Sequence, residues 1–294
     1  MEKKKKRRGD RRDARLVREA DTMHKFMPFH MPRRTANEAM MNETVDLTAV
    51  NEYLEKKNAE NPAFRYTIFH VIAAAIGKTV LLRPRMNRFY VANRYYERNE
   101  VSLSFVVRKK LNADSEEGLA IVHIRPEDGA PLEQLHSQVE KIVHSVRGEQ
   151  KNDGATDFMD ILVKFPRPIL KFILWCLRTL DYFDLYPKSM MSVDPYYTSV
   201  FLSNLGSIRM HANYHHLAEW GTNSVFAIIG EKKPTPFFHA DGTFEVKEAL
   251  ELGLTVDERI ADGYYFAKSI RLLKKLLENP ELLELPADTP VETE

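Results

Sequence analysis

The sequence predicts an α+β chain, a mixed β-sheet with helices packed on it as a two-layer α/β sandwich. Three observations carry this expectation. Apolar runs of period two alternate with longer runs of helical period, and no internal repeat is present. Residues Tyr66 to Leu82 (YTIFHVIAAAIGKTVLL) are apolar almost all round, which reads as a buried core helix too short and interrupted to span a bilayer. The C-terminal third is a succession of short strands and turns closed by one amphipathic helix. With 294 residues, 44% of them hydrophobic and 29% charged, the chain has enough apolar material for a substantial core, and disorder is excluded as the default.

Taken in order, residues 1 to 18 hold ten Lys/Arg against Glu2, Asp10 and Asp13, although the whole chain carries only +1. Residues 1–22 are therefore expected to be a solvated basic arm. Such an arm can touch nucleic acid or anionic lipid, but no aromatic residues interleave its charges, and no specific nucleic-acid recognition is expected. A secretory signal needs an apolar stretch after its basic start, whereas Gly9 to Asp21 is heavily charged. One cysteine, Cys176, excludes an internal disulfide framework and fits a reducing cytoplasm.

Next, Ala36 to Met41 has helix-forming composition, and Glu43 to Leu47 alternates as a half-buried strand does. A helix follows from an N-cap at Asp46 or Thr48, with Val50, Tyr53 and Leu54 on one face and Pro62 beyond its end. Strands are expected at Arg88 to Val91, at Val101 to Val107 ahead of the basic Arg108-Lys109-Lys110, and at Leu119 to Ile124. Pro131 to Val146 has helical period, stopped by Gly148. Phe165 to Tyr186 is strongly apolar but broken by Lys171, Arg178 and Asp181. It reads as an amphipathic helix that packs on its own domain or a partner subunit, lies on a membrane, or covers a substrate channel. Strands at Ser199 to Leu202, Ser224 to Gly230 and Ala249 to Val256 surround a turn at Asn204-Leu205-Gly206 and a hairpin turn at Asp241-Gly242. The last helix runs from about Gly263 to Glu278, with Phe266, Ile270, Leu273 and Leu277 on one face, and the acidic tail 286–294 is expected to fray.

Within this pattern, Asp257-Glu258-Arg259-Ile260-Ala261-Asp262-Gly263 precedes the last helix, which ends near Glu278-Asn279-Pro280-Glu281-Leu282-Leu283. Upstream stand Val200-Phe201-Leu202-Ser203-Asn204-Leu205-Gly206, SVFAIIGEKKP from Ser224 to Pro234, RRTANEAM from Arg33 to Met40, and the buried run from Phe69 to Asn87. In this order the pieces resemble the catalytic domain of the 2-oxoacid dehydrogenase acyltransferases and of chloramphenicol acetyltransferase over roughly residues 23–285. Lipoyl domains have no counterpart here, nor does Phe165 to Tyr186. The family's motif has His where this chain has Glu258.

The resemblance implies a chloramphenicol acetyltransferase-like fold, a coenzyme A thioester as co-substrate, a homotrimer with its active site between subunits, and acyl transfer to a small-molecule or lipoyl-type thiol, amine or hydroxyl. It implies Ser203 as donor to the oxyanion and Asp262 as a structural carboxylate paired with Arg33, with Asn204 and Gly263 supporting the two turns. At the His position Glu258 is a weak base towards a thiol unless burial or a neighbouring carboxylate raises its pKa; otherwise it pairs with Arg259 or another cation. A substitute imidazole is available at His215 or His216, between the Ser203 turn and the next strand, with hydrogen-bonded structural histidines as the other reading. No metal is expected, because no Cys or carboxylate completes a ligand spacing around His211, His215, His216 or His239. Cys176 lies inside an apolar helical run, where a thiol is usually inert, and the glycines have no phosphate-loop spacing. Either the chain is a coenzyme A-dependent acyltransferase, or it is an inactive homotrimeric scaffold or ligand-binding module of the same fold. Peripheral membrane contact ranks below both.

Overall fold

The computed structural model describes residues 6–108, 117–148 and 161–292. Lys109, Lys110 and the ends of the predicted arm and tail lie outside them.

A short strand β1 (Ala14–Leu16) and helix α1 (Thr22–His30) open the chain, followed by strand β2 (Glu38–Asp46) and helix α2 (Thr48–Asn58). The predicted helix over 36–41 is thus strand from Glu38 on. Composition favours a helix there, but Glu38 to Asp46 pairs residue for residue with the strand that ends at Asp257, and tertiary pairing overrides propensity. Helix α3 (Ile68–Leu82) follows a reciprocal cap, in which Thr67 and His70 each bond the other's backbone N–H. Its residues His70 to Val80 are all buried, as the apolar run requires. Gly77 lies close to the sheet: a Cβ there would sit 2.1 Å from Ile124 Cδ1, so a larger residue would require that side chain to shift.

Strands β3 (Arg88–Val91), β4 (Arg94–Arg98), β5 (Val101–Arg108) and β6 (Glu117–Ile124) lead to α4 (Pro131–Gly148), α5 (Arg167–Tyr182) and a single turn α6 (Lys188–Met191). Then come β7 (Val200–Asn204), β8 (Val225–Ile229), β9 (Lys233–Phe238), β10 (Phe244–Asp257) and α7 (Gly263–Glu278). The main sheet has the order β2-β10-β8-β7-β5-β6, with β9 on the first half of β10; β8, β7 and β5 are mutually parallel and the outer pairings antiparallel. Period-two alternation sorts its side chains. Leu103, Leu202, Ala227, Leu252 and Leu254 face the helical layer of α2, α3, α4 and α7, while Phe201, Phe226 and Ile228 face the other way. The two-layer α+β expectation holds. Each fully buried Leu or Ile of that core contributes about 1.5–3 kcal/mol relative to exposure.

The basic segment is not a free arm over its described residues. Ala14 to Leu16 pairs with β4 in a small sheet of order β1-β4-β3. Arg11 is buried between Asp13 (2.9 Å) and Asp181 (2.8 Å), because those two carboxylates compensate a guanidinium that could not be buried alone. Nor does the chain fray directly after Leu285: Ala287 is fully buried, and the buried Lys78 donates to the carbonyls of Leu282 (2.8 Å) and Pro286 (3.1 Å).

Candidate functional site

Strand β7 carries Ser203 to the edge of the core, half-buried, on the face turned away from the helical layer. The turn after it is locally specified. Asn204 Oδ1 accepts from the Ser207 N–H (3.3 Å) and the Ser207 hydroxyl donates to the Asn204 carbonyl (2.7 Å), capping the short helix Leu205–Ile208. Gly206 is required, since a Cβ there would meet the Gly230 carbonyl oxygen at 2.5 Å. Asn204 thus caps the turn that follows Ser203.

From this turn the chain crosses the open face of the sheet, with Ala212 and Asn213 lying on Gly230 and Gly253, and reaches the opposite end, where the Leu217 N–H donates to Glu38 Oε1 (2.6 Å). His215 and His216 lie on this crossing segment. The His215 ring stacks on Phe226 with centroids 4.3 Å apart, and Phe226 stacks on Phe201 at 4.9 Å. His215 Nδ1 lies 2.7 Å from the His216 carbonyl and His216 Nδ1 3.1 Å from the Leu217 carbonyl. A carbonyl only accepts, so in both rings Nδ1 is the donor, and in the neutral ring Nε2 is the nitrogen with the lone pair. Two exposed imidazoles are therefore held in the tautomer a general base needs.

At the end of β10 the charges are arranged differently from the expectation. Asp257 is fully buried and grips Arg259 through Nε and Nη2, both at 2.7 Å, while Arg259 Nη1 donates to the Met31 carbonyl (2.7 Å) and its guanidinium stacks over Tyr90. Buried Arg34 approaches Asp257 at 4.0 Å and donates to the carbonyls of Ala218 (2.8 Å) and Gly221 (3.0 Å). Burial pushes the Arg34 pKa down, against the pull of Asp257. Glu258 is exposed, its backbone N–H bound to the Asn37 carbonyl, and its carboxylate has no hydrogen bond or ion pair among the described residues. The expected Glu258–Arg259 pair is therefore replaced by Asp257–Arg259, since the strand period turns Asp257 inward and leaves its neighbour outside.

The expected Arg33–Asp262 pair does not form either. Arg33 is exposed in the approach to β2; Asp262 caps α7 by accepting from the Tyr265 N–H (2.8 Å) and faces Arg85 at 3.4 Å. The buried carboxylate that orders this loop is Asp257, not Asp262. Sequence reasoning missed Asp257, Arg259 and Arg34; two opposite charges flanking Glu258 at the end of the apolar run LELGLTV were the available signal. Gly263, at the start of α7, has open space where a Cβ would stand, so packing does not require glycine there.

In strand register, Ser203 pairs with Ile228, and Ile228 with Gly253, four residues before Asp257. Ser203 and the Glu258 turn are thus separated by roughly 13 Å along the strands and roughly 10 Å across them. Phe226, on which the His215 ring stacks, is two residues and one strand from Ser203 on the same face, roughly 8 Å in lattice terms. One chain therefore brings Ser203 towards His215 and keeps it away from Glu258. Of the other candidates, His211 faces Glu231 (3.3 Å), His239 faces Glu245 (4.0 Å), and Cys176 is half-buried in α5. Among the described residues no group of three or more His, Cys, Asp or Glu is placed to hold a metal ion, and no helix is long and apolar enough to cross a membrane.

Residues 198–285 match the family model of the 2-oxoacid dehydrogenases acyltransferase (catalytic domain). Over 84 residues the chain is 33% identical to the dihydrolipoyllysine-residue acetyltransferase component 4 of the pyruvate dehydrogenase complex, chloroplastic, of Arabidopsis thaliana; the match covers 29% of this chain and only 17% of that relative. A probable dihydrolipoamide acetyltransferase from Listeria monocytogenes superposes with a TM-score of 0.58 at 12% identity, covering 93% of this chain and 97% of the other. The cubic core of a pyruvate dehydrogenase multienzyme complex gives 0.58 at 15% identity over 90% and 91%, and a chloramphenicol acetyltransferase 0.57 at 8% over 90% and 99%. The resemblance carried by the Ser203 and Asp257–Gly263 motifs is thereby shown, and the fold is that of these acetyltransferase cores.

Proposed function

We propose that this chain is an acyltransferase that uses a coenzyme A thioester as acyl donor, with Ser203 as the oxyanion donor and His215 as the base. The observation that carries this reading is the placement of the Nδ1-anchored His215 and Ser203 on one face of the sheet, inside a fold shared with acetyltransferase cores. In the reaction, His215 Nε2 takes the proton of an acceptor thiol, amine or hydroxyl as its heteroatom attacks the thioester carbonyl. The Ser203 hydroxyl stabilises the tetrahedral oxyanion, and collapse of that intermediate expels the coenzyme A thiolate, which recovers the proton from the imidazolium. Asp257 and Arg34 act at one remove, since Arg34 holds the carbonyls of Ala218 and Gly221 next to the His pair. A homotrimer with its active site between subunits goes with this reading, as the resemblance to the acyltransferase cores implies.

The free carboxylate of Glu258 favours a second reading, an inactive assembly or ligand-binding module. Acyl transfer from acetyl coenzyme A to a panel of thiols, including dihydrolipoamide, separates the two. Under the acyltransferase reading His215→Gln and Ser203→Ala each lower kcat by about 100-fold or more, while Glu258→Gln changes it by less than about threefold. A silent wild type that gains activity with Glu258→His supports the inactive reading, and a large loss in Glu258→Gln would make Glu258 the base. Sedimentation equilibrium measures the oligomer directly.

A further inference from the structure

We propose that the outward face of α5 binds an anionic lipid surface, with the helix lying in the plane of the membrane interface. The helix has two apolar faces, and among the described residues only one is covered. Its inner face, through Ile173, Leu174, Leu177 and Leu180, packs on Tyr186, Tyr197 and Trp220. Its outer face exposes Ile169, Phe172 (62%), Trp175 (61%) and Tyr182, followed by Phe183 (64%) just beyond the helix end. At 100° per residue Phe172, Trp175 and Tyr182 form one stripe, and exposed Arg167, Lys171 and Arg178 form a row along its edge.

Charge identifies the occupant. The helix holds a single acid, Asp181, which is turned inward onto Arg11 at 2.8 Å. Asp184, just past the helix, is taken by Lys6 (3.2 Å) and the Arg12 N–H (3.0 Å). Among the described residues no carboxylate on the outer face therefore answers the row of cations, and the docked N-terminal segment adds seven Lys/Arg and only two Asp over residues 6–18 to the same end of the molecule. The complementary surface must be apolar in depth and anionic at its rim. A bilayer containing anionic lipids has both properties: ring side chains enter the headgroup boundary and the cation row meets the phosphates. Helix α5 spans about 24 Å, and its buried inner face fixes it as an in-plane contact. The inference uses neither Ser203 nor His215, so it stands whichever reading of that site holds.

The test is co-sedimentation of the full chain with vesicles of phosphatidylcholine alone and of phosphatidylcholine with about one-quarter phosphatidylglycerol. Binding to the anionic vesicles is expected to exceed binding to the neutral ones by about tenfold and to fall with salt. Phe172→Ser with Trp175→Ser, and separately Lys171→Glu with Arg178→Glu, are each expected to reduce it about tenfold, with unfolding transitions unchanged because these positions are exposed. Addition of anionic vesicles is expected to blue-shift tryptophan emission in the wild type and not in Trp175→Phe, since the only other tryptophan, Trp220, is held by Asp194 at 2.7 Å. Equal binding by wild type and both double variants overturns the proposal. So does a failure to bind anionic vesicles, or a self-association in solution that the Phe172→Ser, Trp175→Ser variant abolishes.

Discussion

Replacing Asp257 with Asn tests whether one buried carboxylate orders the loop that carries the candidate site. The side chain is fully buried, receives two 2.7 Å bonds from Arg259, and lies 4.0 Å from Arg34. Asn keeps the shape but removes the charge, leaving two guanidinium groups, 2% and 6% exposed, without their shared buried counter-ion. Breaking a buried pair in this way costs about 3–5 kcal/mol; the remaining amide oxygen and the carbonyls of Met31, Ala218 and Gly221 place the expected loss near the lower end, about 3 kcal/mol. Urea unfolding followed by circular dichroism should show a lower midpoint at unchanged slope. The double variant Asp257→Asn, Arg259→Gln should lose less than the sum of its singles, with a coupling of about 2 kcal/mol. A single-variant loss under about 1 kcal/mol, or strict additivity, would refute the assignment of Asp257 as the compensating charge.

Acid stability is expected to depend on His70. Its ring is buried, which together with neighbouring His136 lowers its pKa to about 4, while in the unfolded chain it titrates near ~6.5. The neutral form is thus favoured by folding, so stability is intact above pH ~6.5 and is lost as the pH falls towards 4, by up to about 3 kcal/mol. His70→Gln keeps an acceptor for the Thr67 N–H, and its urea midpoint should fall less steeply over that window; an identical slope removes His70 from the account. Gly206→Ala should cost about 1–3 kcal/mol, since the added carbon meets the Gly230 carbonyl at 2.5 Å. If acyl transfer is the activity, kcat should drop with it because the Ser203 turn shifts, and a variant with wild-type stability would show that this close approach relaxes freely.

What the sequence by itself determined is local in origin. The all-apolar run of α3, the alternating β5, the Asn204-Leu205-Gly206 turn, and α7 behind its Asp262 cap are written in residue periods and capping chemistry that act over a few positions. Ordered motifs were enough to indicate the family's fold. The tertiary structure alone decided what depends on partners distant in the chain. Residues 38–41 became strand because β10 offers them a paired edge. Arg11 draws the basic segment onto Asp181, 170 positions away. Arg34 and Arg259 converge on Asp257, while Arg33 and Asp262 stay apart, because strand register turns alternate residues inward and a shift of one position exchanges a buried charge for an exposed one. His215 came to the face of Ser203 for the same reason: the crossing segment's path is set by close packing of Ala212 and Asn213 on Gly230 and Gly253, a contact between chain segments that no periodicity encodes.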